Sequence, residues 1–167
     1  MLVFRVVNWS DITRYSSAWN TLVNLATLVV MANGLTRSGF MDWFARTMSV
    51  HLNSFSPVMA VAVLVLVFYF SHYHFASLSA HTATMLPVIL AVGKGVQGIP
   101  MVQLSMLLVL SIGIIGVLTP YGTGPGVIIY GCGYVKSKDY WRLGGIFGVF
   151  YIATLLLVGW PLLSLWT

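Results

Sequence analysis

The sequence predicts an all-α protein embedded in a membrane. Hydrophobic residues make up 59% of its 167 residues and charged residues only 7%, against roughly 25% charged in an ordinary soluble domain. The mean hydropathy is +0.93, and the apolar residues gather into long runs separated by short polar stretches. A surface so poor in charge faces lipid. The net charge of +5 is spread between the hydrophobic segments, where basic residues set topology rather than bind nucleic acid. The single cysteine, Cys132, excludes an intramolecular disulfide framework and a cysteine-rich metal site.

Residues 1–17 read as an aqueous N-terminal segment with Arg5, Asp11 and Arg14. "AWNTLVNLATLVVMANGL", Ala18 to Leu35, is long enough to cross a core of ~30 Å at ~1.5 Å per residue. Asn20, Asn24 and Asn33 predict that one of its faces meets protein. In Met41 to Phe55, Trp43, Phe44, Met48 and Leu52 fall at helical spacing. That pattern fits an interfacial amphipathic helix, or a helix packed on the protein. The two segments form a unit over 18–56.

"PVMAVAVLVLVFYF", Pro57 to Phe70, is apolar for about 14 residues, a length more typical of re-entrant or core segments than of spans. "SHYHFASLSAH" and a second short arm, Thr82 to Gly93, follow. Two short arms meeting at a polar tip predict a re-entrant hairpin over 57–94. Two tilted spans joined by an external loop at Ser71–Ser79 are the other reading. "MVQLSMLLVLSIGIIGVL", Met101 to Leu118, is long enough to cross and runs into "TPYGTGPG", which no helix traverses intact. Apolar sequence resumes at once, so 101–135 reads as a broken transmembrane helix. Interrupted hydrophobic segments of this kind point to a transporter's binding site. After the basic loop with Lys136, Lys138 and Arg142, residues 142–167 supply a final span, with Trp160 and Trp166 as an interfacial belt.

Counting sides puts Arg5, Arg14, Lys136, Lys138 and Arg142 on one side and Arg37, Arg46 and Lys94 on the other. The first side is then cytoplasmic and the C-terminus lies outside.

The polar tip and the break are the candidate site. Ser77, Ser79 and Thr82 supply hydroxyls, and the first backbone N–H groups of the second hairpin arm suit a carboxylate. The break supplies Thr119, Thr123 and close-approaching backbone at Gly122 and Gly124. Its freed carbonyls suit a small cation such as Na⁺. His81, at the tip, would add positive charge when protonated; as a neutral ring bonded to backbone it would be structural. His72 and His74 lie two apart and point to different helix faces, with no carboxylate or thiol near enough to complete a zinc site. The three acids, Asp11, Asp42 and Asp139, fall in aqueous or interfacial stretches, and neither HExxH nor GxSxG occurs. No catalytic residue and no enzyme activity is expected.

"HYHFASLSAHTATMLPVILAVG" and "LTPYGTGPGVIIYGCGYVKSKDYWRLGGIFG" resemble the C-terminal half of the divalent anion/sodium symporter family. The likeness is strongest to its branch of citrate–succinate antiporters and 2-oxoglutarate/malate translocators, and runs from about Trp19 to the C-terminus. The resemblance implies the second of two inverted repeats in a multi-pass transporter of the bacterial inner membrane. It implies a dimer in which a transport domain moves against a scaffold, elevator fashion, and carries small di- or tricarboxylates such as succinate, malate, citrate or 2-oxoglutarate. The implied substrate contacts are Ser77, Leu78, Ser79, His81, Thr119, Pro120 and Gly122. Carbonyls around Ala76 and Leu118 are the implied hosts for any cation. Leu78 stands where the family's Ser-Asn-Thr motif has asparagine and Ser79 where it has threonine, which favours anion exchange over sodium symport. The first repeat has no counterpart in Met1–Asn20. The chain is therefore expected to be a C-terminal half, from a truncated or split transporter that is inactive without an N-terminal half.

Overall fold

A computed structural model describes residues 9–14, 19, 22, 23, 26, 27, 30, 31, 34 and 37–166. Most of the first predicted span, including Asn20, Asn24 and Asn33, lies outside the described residues. Among the described residues every regular element is helical. The order is α1 (Trp9–Arg14), α2 (Phe40–Leu52), α3 (Pro57–Ser71), α4 (Leu78–Gly95), α5 (Met101–Ile114), α6 (Gly124–Gly131), α7 (Ser137–Thr154) and α8 (Trp160–Ser164). A 3₁₀ turn at His72–His74 extends α3, another at Ile115–Val117 tightens the end of α5, and a π turn at Leu155–Gly159 carries α7 into α8.

Local chemistry sets the ends of the hairpin. The Ser56 hydroxyl accepts from the Met59 N–H at 3.3 Å, with Pro57 opening α3 where its missing N–H costs nothing. Ser77 caps α4 in the same way, accepting from the Ala80 N–H at 3.4 Å. Between the two helices Phe75 and Ser77 are extended. α3 buries Ala60, Val61, Leu64, Val65, Phe68 and Tyr69. α4 folds back on α3, and both pack on α5, which contributes Leu104, Leu107 and Leu108 to the core.

α2 lies against α4. It buries Ser49 and Leu52 and rests Phe44 on the core, while Trp43 stays exposed. The Asn53 side-chain carbonyl accepts from the Gln97 N–H at 3.1 Å and ties the end of α2 to the α4–α5 connection. The face of α2 toward α4 is thus a protein contact.

Among the described residues two helical stretches are long and apolar enough to cross a membrane: Pro57–His74, with 18 residues, and Ser137–Ser164, with 28. The first is longer than its purely apolar run because the helix continues through Ser71 into the 3₁₀ turn. Met101–Val117 is apolar but shorter; Gly113 and Gly116 weaken its last turns and Pro120 forbids continuation.

α7 approaches the end of α5 through Gly144 and Gly148, one turn apart on one face. A methyl on Gly144 would sit 2.8 Å from the Val117 carbonyl oxygen, and one on Gly148 would collide with the Leu118 side chain. The Tyr69 hydroxyl donates to the Gly148 carbonyl at 3.1 Å across the same contact. At the far end the Trp160 indole N–H donates to Gln103 Oε1 at 3.0 Å. Gly144→Ala is expected to destabilise the fold by about 1–3 kcal/mol through overpacking. Thermal unfolding in detergent reads this out, with Gly145→Ala as control because no atom lies within 4 Å of its added methyl. Equal melting temperatures for the two variants would show that α7 does not pack this closely.

Candidate functional site

The hairpin tip and the break in the α5–α6 helix, 48 residues apart in sequence, meet. The Tyr121 hydroxyl donates to the Tyr73 carbonyl at 3.0 Å. Trp141 of α7 stacks on Tyr73 with ring centroids 6.3 Å apart and meets Tyr121 at 6.1 Å. The Tyr140 hydroxyl reaches the Thr119 carbonyl at 3.5 Å. These aromatic groups hold tip and break together on the side facing α7.

Behind them lies a buried polar cluster. His81, fully buried, packs between Phe68, Phe75 and His72 at centroid distances of 4.6, 5.1 and 5.1 Å. Its Nε2 lies 3.0 Å from the Phe68 carbonyl oxygen and 2.9 Å from the Ser71 hydroxyl, which itself donates to Phe68. A carbonyl only accepts, so Nε2 carries the hydrogen and Nδ1 of the neutral ring keeps its lone pair. His72 and Thr119 are also fully buried. Buried atoms without a hydrogen-bond partner among the described residues include both ring nitrogens of His72, His81 Nδ1, Thr82 Oγ1 and Thr119 Oγ1. Buried polar atoms are ordinarily paired, and these five make the cluster the candidate site.

Gly122 makes the convergence sterically feasible. A methyl there would collide with His72 Nε2 and come within 2.5 Å of Thr119 Oγ1. The break ends at Thr123, whose hydroxyl accepts from the Gly126 N–H at 3.2 Å and starts α6. Thr123 is therefore occupied as a cap.

The residues singled out in the sequence divide into two groups. Ala76, Ser77 and Ser79 form an exposed rim, with Leu78 half-buried against the core and the Ser77 hydroxyl engaged in capping. His81, Leu118, Thr119, Pro120 and Gly122 are buried and are termed the floor. Gly124 is exposed at the start of α6. The Leu118 carbonyl faces Gly144 of α7, 3.5 Å from where a methyl on that glycine would stand.

Sequence reasoning missed His72. It dismissed the His72/His74 pair as divergent, and the two do diverge: His74 is exposed and His72 points inward. That divergence is what delivers His72 to Gly122. Tyr73, Tyr121, Tyr140 and Trp141 were missed as well, since no local signal pairs them. Among the described residues no three His, Cys, Asp or Glu side chains converge as a metal group.

An all-helical fold with spanning-length apolar helices and a polar hairpin tip closing on a broken helix is consistent with a membrane transporter. Sequence comparison gives the family: the family described as "Sodium:sulfate symporter transmembrane region" matches residues 1–166, and the chain belongs to it. The chain is 80% identical over 166 residues to the citrate/succinate antiporter of Escherichia coli (strain K12), covering 99% of this chain and 34% of that protein. It is 39% identical over 159 residues to the L-tartrate/succinate antiporter of the same strain, covering 95% of this chain and 33% of that protein. The L-tartrate/succinate antiporter of Shigella flexneri is likewise 39% identical. The chain spans about a third of the length of these relatives.

Proposed function

We propose that this chain is the second-repeat portion of a bacterial inner-membrane carboxylate exchanger that swaps one di- or tricarboxylate for another. The observation that carries the reading is the 80% identity to a citrate/succinate antiporter across 99% of the chain. In this reading α3 and α4 are a re-entrant hairpin, and its tip with the α5–α6 break is half of a carboxylate site. Ser77 and Ser79 line the mouth, and the first-turn N–H groups of α4 offer positive potential to the anion. Thr119, Pro120 and Gly122 shape the floor. The matching half comes from an N-terminal repeat, and the site moves through the membrane by elevator motion. Leu78 is apolar and half-buried against the core, so it offers no side-chain oxygen to a cation. Exchange is favoured over sodium symport for that reason.

The test is transport by the native protein, purified from its own membranes and placed in vesicles. Labelled citrate uptake driven by internal succinate, without sodium, is expected to exceed empty vesicles at least tenfold. Uptake that instead needs an inward sodium gradient and no internal carboxylate would establish symport. No uptake in either arrangement overturns the transport reading and leaves an inactive fragment.

A further inference from the structure

We propose that His72 and His81 together form a binding site for one proton, taken up with the carboxylate and released with it. The inference rests on the exchange reading above, and it concerns a ligand that reading does not include. Two buried imidazoles stand edge to face, 5.1 Å between centroids and 76° between planes. Among the described residues one of their four ring nitrogens, His81 Nε2, has a hydrogen-bond partner. His81 Nδ1 and either nitrogen of His72 remain as proton acceptors. Among the described residues no third His, Cys, Asp or Glu joins them, so the pair lacks the donor set of a structural metal site.

Among the described residues the surroundings supply no charge to balance a proton. From α3, Tyr69 places its hydroxyl on the Gly148 carbonyl. From the tip and the break come Tyr73 and Tyr121, the latter bonded to the Tyr73 carbonyl, and Thr119. α4 adds Thr82, and α7 adds Tyr140, on the Thr119 carbonyl. None of these groups is charged at neutral pH. Lys136, Lys138, Asp139 and Arg142 near the start of α7 are exposed, as is Lys94 at the far end of α4.

A buried cation without a counter-charge is strongly disfavoured. A carboxylate at the tip supplies that counter-charge, so proton and anion each favour binding of the other, by the same factor in both directions. Two imidazolium rings at this separation repel, and the pair accepts one proton rather than two. His72 Nε2 faces Gly122 and Thr119, which presents the charge to the break. The proton comes from solvent and returns to it, so a dianion and its proton travel as a single net negative charge.

The experiment uses the native transporter in detergent, with succinate as the probe. Proton uptake is followed with an indicator dye in weakly buffered solution, and affinity is measured from about pH 7 to 9, above the ordinary carboxyl range. About one proton is expected per succinate bound, with affinity falling about tenfold per pH unit on the upper limb. His72→Gln and His81→Gln are each expected to abolish the uptake and flatten the profile. His51→Gln, on exposed α2 surface, keeps both. Succinate binding by the unaltered protein without proton uptake overturns the proton site and leaves exchange intact. No succinate binding at all overturns both readings. Uptake that survives both histidine variants overturns the assignment to this pair. Should the variants fail to fold, the stoichiometry of the unaltered protein decides.

Discussion

Gly122→Ala is expected to abolish exchange, with a loss of at least about 100-fold, from the addition of one carbon. The new methyl would collide with His72 Nε2 and crowd Thr119 Oγ1, and both neighbours are fully buried, so the shift must be absorbed inside the protein. Overpacking of this kind costs about 1–3 kcal/mol of stability. The larger effect falls on geometry, since displacing binding groups by about an ångström costs on the order of 100-fold in rate. Gly113→Ala is the control: no atom lies within 4 Å of its added methyl, and alanine is the better helix former. Adding His72→Ala to Gly122→Ala relieves the collision with the ring and leaves the one with Thr119 Oγ1, so this double variant is expected to recover part of the lost melting temperature and none of the exchange. Full exchange by Gly122→Ala alone would show that the tip and the break do not close on each other as described.

Sequence alone made the interruptions legible and left their meeting unread. The break at Leu118–Thr123 follows from Pro120, Gly122 and Gly124 crowding one stretch, a local property that no tertiary contact is needed to produce. The hairpin is legible in a polar run between two short apolar arms, while the capping by Ser77, which starts the second helix at Leu78 rather than Thr82, emerges only in the structure. By contrast, the bond from Tyr121 to Tyr73 spans 48 residues, and no local pattern announces which tyrosine faces which carbonyl. The histidines show the same limit. Sequence reasoning favoured His81 because it sat nearest the tip, and the structure places that ring where one nitrogen is already engaged with backbone. His72, with two unpartnered nitrogens, was dismissed by a helical-face argument that holds within the turn and says nothing about what lies across from it. α2 was ambiguous for a related reason: an amphipathic pattern suits a lipid surface and a protein surface equally, and only the packing on α4 shows which its buried face meets.

The division into an exposed rim and a buried floor gives the two groups different physical roles. Hydroxyls on the rim are solvated or spent on capping, so each contributes modestly and tolerates change. On the floor, His81 Nδ1 and Thr119 Oγ1 have already lost their water and have no hydrogen-bond partner among the described residues. Preorganised, desolvated donors bind an anion more strongly than solvated ones do. They also cost stability in the protein that carries them, which makes stability a reporter on function.

Thr119→Val applies that reporter directly. Thr119 is fully buried, and its Oγ1 has no hydrogen-bond partner among the described residues. Valine keeps the β-branch and nearly the same shape, replacing the hydroxyl with a methyl. A buried hydroxyl left unpaired costs about 1–3 kcal/mol, so the valine variant is expected to melt higher than the unaltered protein. Exchange is expected to fall about 100-fold, as for loss of a hydrogen bond to a charged substrate group worth about 1.5–3 kcal/mol. Thr119→Ser reverses the pattern: it keeps the hydroxyl and most of the activity while losing about 1 kcal/mol of stability to the missing methyl. Melting temperature should therefore rise with valine and fall with serine, while exchange falls with valine and is largely kept with serine. If valine lowers both together, the hydroxyl is a structural bond within the protein and Thr119 leaves the site. If valine raises stability while serine retains exchange, the hydroxyl is held unpaired in the fold because its partner is the carboxylate.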